Sequence, residues 1–89
     1  MPRSRVGTLR SIAANVREWR MRRGYTQADL AERTPVDLRM LQRIERAQTD
    51  FSVSTFVRLA EALDVKLDAL VRPAALFPAR RGRPRKARM

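Results

Sequence analysis

The chain contains no cysteine and no histidine among its 89 residues. Those two absences together remove disulfide staples, thiolate nucleophiles, imidazole proton transfer and every common zinc-ligand set. The composition therefore argues against an enzyme, and neither a metal nor a cofactor is expected. No segment approaches the roughly 20 consecutive apolar residues that a membrane span requires. The N-terminal stretch MPRSRVGTLRSIAANV is basic but lacks the apolar run of a secretory leader, so a soluble, cytoplasmic protein with no membrane partner is expected. Aromatic residues make up only 6% of the chain, too few to offer many platforms for stacking the unpaired bases of RNA. Acidic residues are scarce as well, 9 against 20 Lys and Arg.

What is abundant is arginine. The formal net charge of +11 points to a polyanionic partner. Residues 72–89 hold seven cations and no acid, which leaves 13 cations against 9 acids, a mild +4, for residues 1–71. Nucleic acid fits this distribution better than an anionic membrane surface, because the basic C-terminal segment lacks the apolar face of an interfacial helix.

Apolar periodicity indicates helices and no strands. From Thr8 to Arg23, Leu9, Ile12, Ala13, Val16 and Trp19 recur at steps of three and four, and Gly24 stands where that helix should stop. Thr26 three residues ahead of Asp29 forms a capping-box pattern for a short second helix ending near Thr34, which Pro35 cannot extend. Asp37 is suited to cap a third helix in which Leu41 and Ile44 point inward while Arg39, Gln42, Arg43 and Arg46 share the opposite face. Val53, Phe56, Val57, Leu59, Ala60 and Leu63 mark a fourth helix, and Leu67 to Val71 a short fifth. The expected organisation is a flexible N-terminal arm over 1–7, an all-α domain over 8–71 and a disordered basic tail over 72–89. The tail, with Pro and Gly among arginines, cannot bury enough apolar surface to offset its ordering entropy.

Two short helices joined by a tight turn, the second carrying an Arg/Gln outer face, describe a helix-turn-helix. The stretch TQADLAERTPVDLRMLQRIERAQTDFSVSTFVRLAEALDV resembles the Cro and phage-repressor type of helix-turn-helix domain, the XRE-like family, from about Leu9 to Leu70. The likeness rests on Thr26-Gln27, Leu30-Ala31, Leu41, Ile44-Glu45 and the LAEAL run at the family's spacing. It implies a five-helix lambda-repressor-like DNA-binding fold. It departs from the family at Pro35, Ala47 and Asp64, where the family usually carries glycine at a turn or helix end.

The resemblance also implies roles that side-chain chemistry supports. Gln27, at the start of the second helix, would bind a phosphate and so set position, as would Arg46. Arg39 and Arg43 would each donate two hydrogen bonds to a guanine in the major groove, Gln42 would read adenine, and Leu38 would touch a thymine methyl or pack locally. Taken alone, an exposed helical arginine is ordinarily just solvated; the surrounding frame favours base contact. Trp19 and Tyr25 read as core-edge packing. Glu45, next to inward-facing Ile44, is costly if buried alone. The resemblance implies an ion pair with Arg20 late in the first helix, a structural role.

The tail segment RRGRPRK resembles an AT-hook. Gly82 would let the chain lie deep in a narrow A·T minor groove, with Arg81 and Arg83 along its floor and Pro84 keeping the strand extended. The competing reading is a basic tail that meets phosphates regardless of sequence.

These observations point to a transcriptional regulator, expected to act as a repressor, that binds specific double-stranded DNA and associates with the nucleoid when bound. A homodimer is expected because one recognition helix reads too few base pairs. Leu63, Val65, Leu67 and Leu70 are candidates for the dimer surface, although the same residues could close the core. No ligand-sensing domain is expected within these 89 residues, so regulation is expected to come through concentration, proteolysis or a partner. An antitoxin-like module that binds a protein partner through the AALF stretch at 74–77 is the alternative. A compactor acting through charge alone fits poorly with the modest charge of residues 1–71 and the varied face of the third helix.

Overall fold

The computed structural model describes residues 4–73, which form five α-helices in an all-α arrangement: α1 (Arg5–Arg22), α2 (Gln27–Glu32), α3 (Leu38–Glu45), α4 (Val53–Leu63) and α5 (Leu67–Val71). α1 is the spine against which α3 and α5 pack most extensively, while α2 lies on α3 and α4 on α5. The core draws Ile12 and Val16 from α1, Leu30 from α2, Leu41 and Ile44 from α3, Leu59, Ala60 and Leu63 from α4, and Leu70 from α5. Val36, in the turn before α3, is also buried, so the link between α2 and α3 is part of the core.

α1 begins earlier than the apolar pattern implies. Ser4 caps it, its Oγ accepting the Gly7 N–H at 3.0 Å, so residues 5–7 of the arm expected over 1–7 belong to the helix instead, and residues 1–3 lie outside the described residues. The apolar pattern missed this turn because Arg5 and Gly7 carry no hydrophobic signal. α2 ends at Glu32, short of Thr34. Thr34 is instead the brace of the turn: its Oγ1 accepts the Val36 N–H at 3.1 Å and lies 3.2 Å from the Ala31 carbonyl. Thr26 and Asp29 form the expected capping box. The Thr26 backbone N–H and hydroxyl hold the Asp29 carboxyl below its usual range.

Three helices end in the same closure. After α1 the Gly24 N–H bonds to Met21 O and the Tyr25 N–H to Arg20 O. After α3, Ala47 and Gln48 bond likewise to Ile44 O and Arg43 O, and after α4, Asp64 and Val65 bond to Glu61 O and Ala60 O. This is the Schellman pattern, which needs a left-handed residue at its centre. Gly24 adopts φ 76° at no cost, whereas Ala47 and Asp64 are held at φ 58°.

A candidate major-groove reading surface

α3 is fixed before it presents anything. Asp37 accepts the Met40 N–H at 2.8 Å and starts the helix, and Leu41 and Ile44 are buried beneath it. Its last residue, Glu45, is the junction of three elements. The Arg20 guanidinium donates to both Glu45 carboxylate oxygens, from Nε at 2.8 Å and Nη2 at 3.1 Å, and from Nη1 to the Tyr25 carbonyl at 2.9 Å. Gln27 Nε2 donates to the same carboxylate at 3.1 Å. The Glu45 side chain is only 4% exposed and that of Arg20 12%, so each charge needs the other. A planar guanidinium paired with a carboxylate in this two-point manner fixes angle as well as distance. The site thus joins Arg20, Gln27 and Glu45 in one network, in which Gln27 is half-buried with one amide hydrogen committed to Glu45.

The outer face of α3 contrasts with this. Arg39, Arg43 and Arg46 are exposed, and among the described residues none of them forms an ion pair. Leu38 is 40% exposed and lies at the start of the same helix. Gln42 is half-buried on the edge of the same face. Arg39 and Arg43 stand one turn apart, and a helix about 10–12 Å across matches a major groove about 12 Å wide.

Side chains that the apolar pattern passed over brace the rest. Asn15 is fully buried and its Nδ2 donates to Leu70 O at 2.9 Å and Arg72 O at 2.7 Å, tying the end of α5 to α1. The available signal was its place between Ile12, Val16 and Trp19 on the inward face. Arg23 donates to Leu63 O at 2.7 Å and Asp64 O at 3.1 Å, satisfying the last carbonyls of α4. Trp19 and Tyr25 both pack against the core, with Arg22 and Arg23 near the Trp19 ring and Arg33 over that of Tyr25.

The helix-turn-helix family model HTH_3 matches residues 16–70, which is most of the chain. The chain belongs to this family. Among solved structures, the HTH_3 protein is similar to a family transcriptional regulator from Vibrio cholerae, at 27% identity and TM-score 0.71, covering 75% of this chain but only 38% of that one. It is similar to a restriction-modification controller protein from Aeromonas hydrophila, at 28% identity and TM-score 0.71, covering 76% of this chain and 99% of the controller. A hypothetical transcription factor from Neisseria matches at 26% identity and TM-score 0.75, covering 79% of each chain. A comparison with curated proteins returned no match. The HTH_3 protein is accordingly a DNA-binding transcription regulator.

Among the described residues no helix is long and apolar enough to cross a membrane. The candidate dimer residues divide: Leu63 and Leu70 are fully buried and close the core, Val65 packs half-buried against it, and Leu67 stays 43% exposed. The minor-groove candidates Arg81, Gly82, Arg83 and Pro84, the AALF stretch at 74–77 and all but the first two residues of the expected tail over 72–89 lie outside the described residues.

Proposed function

We propose that this protein is a sequence-specific regulator that lays α3 in the major groove of an operator and represses by occupying it. The observation that carries the reading is the contrast between the two faces of α3. Its inner face is fixed by buried Leu41 and Ile44 and by the Arg20–Glu45–Gln27 network, while its outer face offers arginines with no acidic partner among the described residues. Arg39 and Arg43 each read a guanine through O6 and N7, worth about 1–3 kcal/mol of discrimination per good pair. Gln42 reads adenine from the edge of the face, and exposed Leu38 meets a thymine methyl. Gln27 uses its second amide hydrogen for a phosphate, and Arg46, beyond Arg43, meets another. Rigid placement matters here because a bidentate contact needs its guanidinium held to within about 0.5 Å and 10–20°.

A single α3 of eight residues spans only about 12 Å, a few base pairs. The active form is therefore a homodimer that places two copies on half-sites one helical turn apart. Leu67, the exposed apolar residue left on α5, lies in its contact surface.

Selection of bound duplexes from a random library at physiological salt tests the reading, with wild type and the Arg39→Ala/Arg43→Ala variant run in parallel. The expected result is an inverted repeat recovered by wild type and lost by the variant. An identical, featureless pool from both proteins contradicts specific readout and leaves binding by charge alone.

A further inference from the structure

α1 carries a row of side chains that the reading above does not use. Val6, Arg10, Ala13, Arg17 and Arg20 recur at steps of four, three, four and three, which places them along one stripe of the helix. The stripe's ends are fixed on the α3 side of the molecule. At one end Val6 faces the loop from Ala47 to Asp50 that follows α3, and at the other Arg20 grips Glu45. Ala13, between them, is buried. The opposite flank of α1 belongs to α5, because Asn15 donates to Leu70 and Arg72 there. At about 100° per residue, Asn15 and Arg17 stand on opposite flanks of the helix.

Arg10 and Arg17 therefore rim the seam between α1 and α3, on the side where Arg46 follows Glu45. Both are exposed, and among the described residues neither forms an ion pair. The positions three and four away from them within α1 are Val6, Gly7, Ala13, Ala14, Arg20 and Met21, with no carboxylate to pair in the usual helical manner. The acids adjacent in sequence or across the seam are already engaged: Glu18 with Arg22, Glu45 with Arg20, and Asp50 with Arg5. Arg10 and Arg17 are thus left without an acid on a seam whose own acids are taken, and an anion arriving there meets two uncompensated charges.

We propose that Arg10 and Arg17 form a phosphate clamp: this flank of α1 lies along the DNA backbone at the edge of the groove that α3 enters, and each guanidinium meets a phosphate. The proposal rests on the α3 reading for the position of the duplex. Phosphates carry no sequence information, so the clamp sets affinity and docking angle and leaves the motif untouched. Its signature is counterion release, in which log K falls with log salt at a slope of about 0.9 per phosphate neutralised.

The test is the salt dependence of binding to the selected duplex for wild type, Arg10→Gln, Arg17→Gln, the double variant, and Arg22→Gln as a charge-matched control on the opposite flank. Each single clamp variant is expected to lower the slope by about 0.9 per bound protomer and the double by about 1.8, with the selected motif unchanged and Arg22→Gln near wild type. Clamp variants whose slopes match that of Arg22→Gln overturn the proposal while leaving base reading by α3 intact. A wild type that selects no motif overturns the α3 reading, and the clamp that rests on it falls too, leaving backbone binding by charge alone.

Discussion

Glu45 shows how much one carboxylate can fix. It accepts three hydrogen bonds from two elements while its own backbone ends a third, so the angle between α1 and α3 depends on it. Truncation leaves the Arg20 charge largely buried, with the Tyr25 carbonyl as its remaining partner. Glu45→Ala is expected to cost about 2–3 kcal/mol, less than a fully enclosed pair because Arg20 keeps some solvent access. For a domain of this size that lowers the thermal midpoint by about 10–20 °C. A melt that coincides with wild type would mean that the pair adds nothing. The sequence announced this acid because it sits beside a buried isoleucine, and the family resemblance supplied Arg20. Gln27 was harder to read: its position marks the start of α2, but nothing local reveals that its amide joins an ion pair formed by residues 7 before it and 18 after it. Asn15 was hidden for a similar reason, since its partners are carbonyls more than fifty residues away.

At the scale of the helix, starts were more legible than ends. Ser, Thr and Asp caps act within three residues, so the beginnings of α2 and α3 could be read from Thr26 and Asp37. The Ser4 cap carries no such signal, because the turn it starts has no apolar periodicity. Helix ends depend on a left-handed residue that only glycine advertises. Gly24 gave the end of α1 away, whereas Ala47 and Asp64 take the same conformation without the signature residue. These are two of the three positions where the family usually carries glycine. Ala47 must bear about 1–2 kcal/mol of left-handed strain, of which glycine would return part to the entropy of the unfolded chain. Ala47→Gly is thus expected to stabilise the domain by about 0.5–1 kcal/mol in urea unfolding, with Asp64→Gly smaller because aspartate tolerates this region better. A destabilised Ala47→Gly would show that the alanine methyl group contributes packing that outweighs the strain.

For the whole molecule, the division of labour is between a fixed interior and an unpaired basic exterior. Ten core residues spread over all five helices and the α2–α3 turn hold α3 still, and the arginines on its outer face remain free for a polyanion. Apolar periodicity identified the helices, but it could not separate core from contact surface at Leu63, Val65, Leu67 and Leu70, because a small helical domain uses the same residue type for both. Burial makes the separation, and only Leu67 stays well exposed. Leu67→Glu is accordingly expected to shift sedimentation toward monomer and weaken operator binding at least about tenfold, and to leave thermal stability unchanged only at concentrations where wild type is monomeric too. A variant that sediments and binds as wild type does would move the dimer contact elsewhere. The central claim, that Arg39 and Arg43 read guanines in the major groove, is tested most directly by methylation interference on the selected duplex. Methylation at guanine N7 is predicted to block wild-type binding at specific guanines in each half-site, with Arg39→Ala and Arg43→Ala each becoming indifferent to one of them. Binding that tolerates N7 methylation throughout would contradict the account.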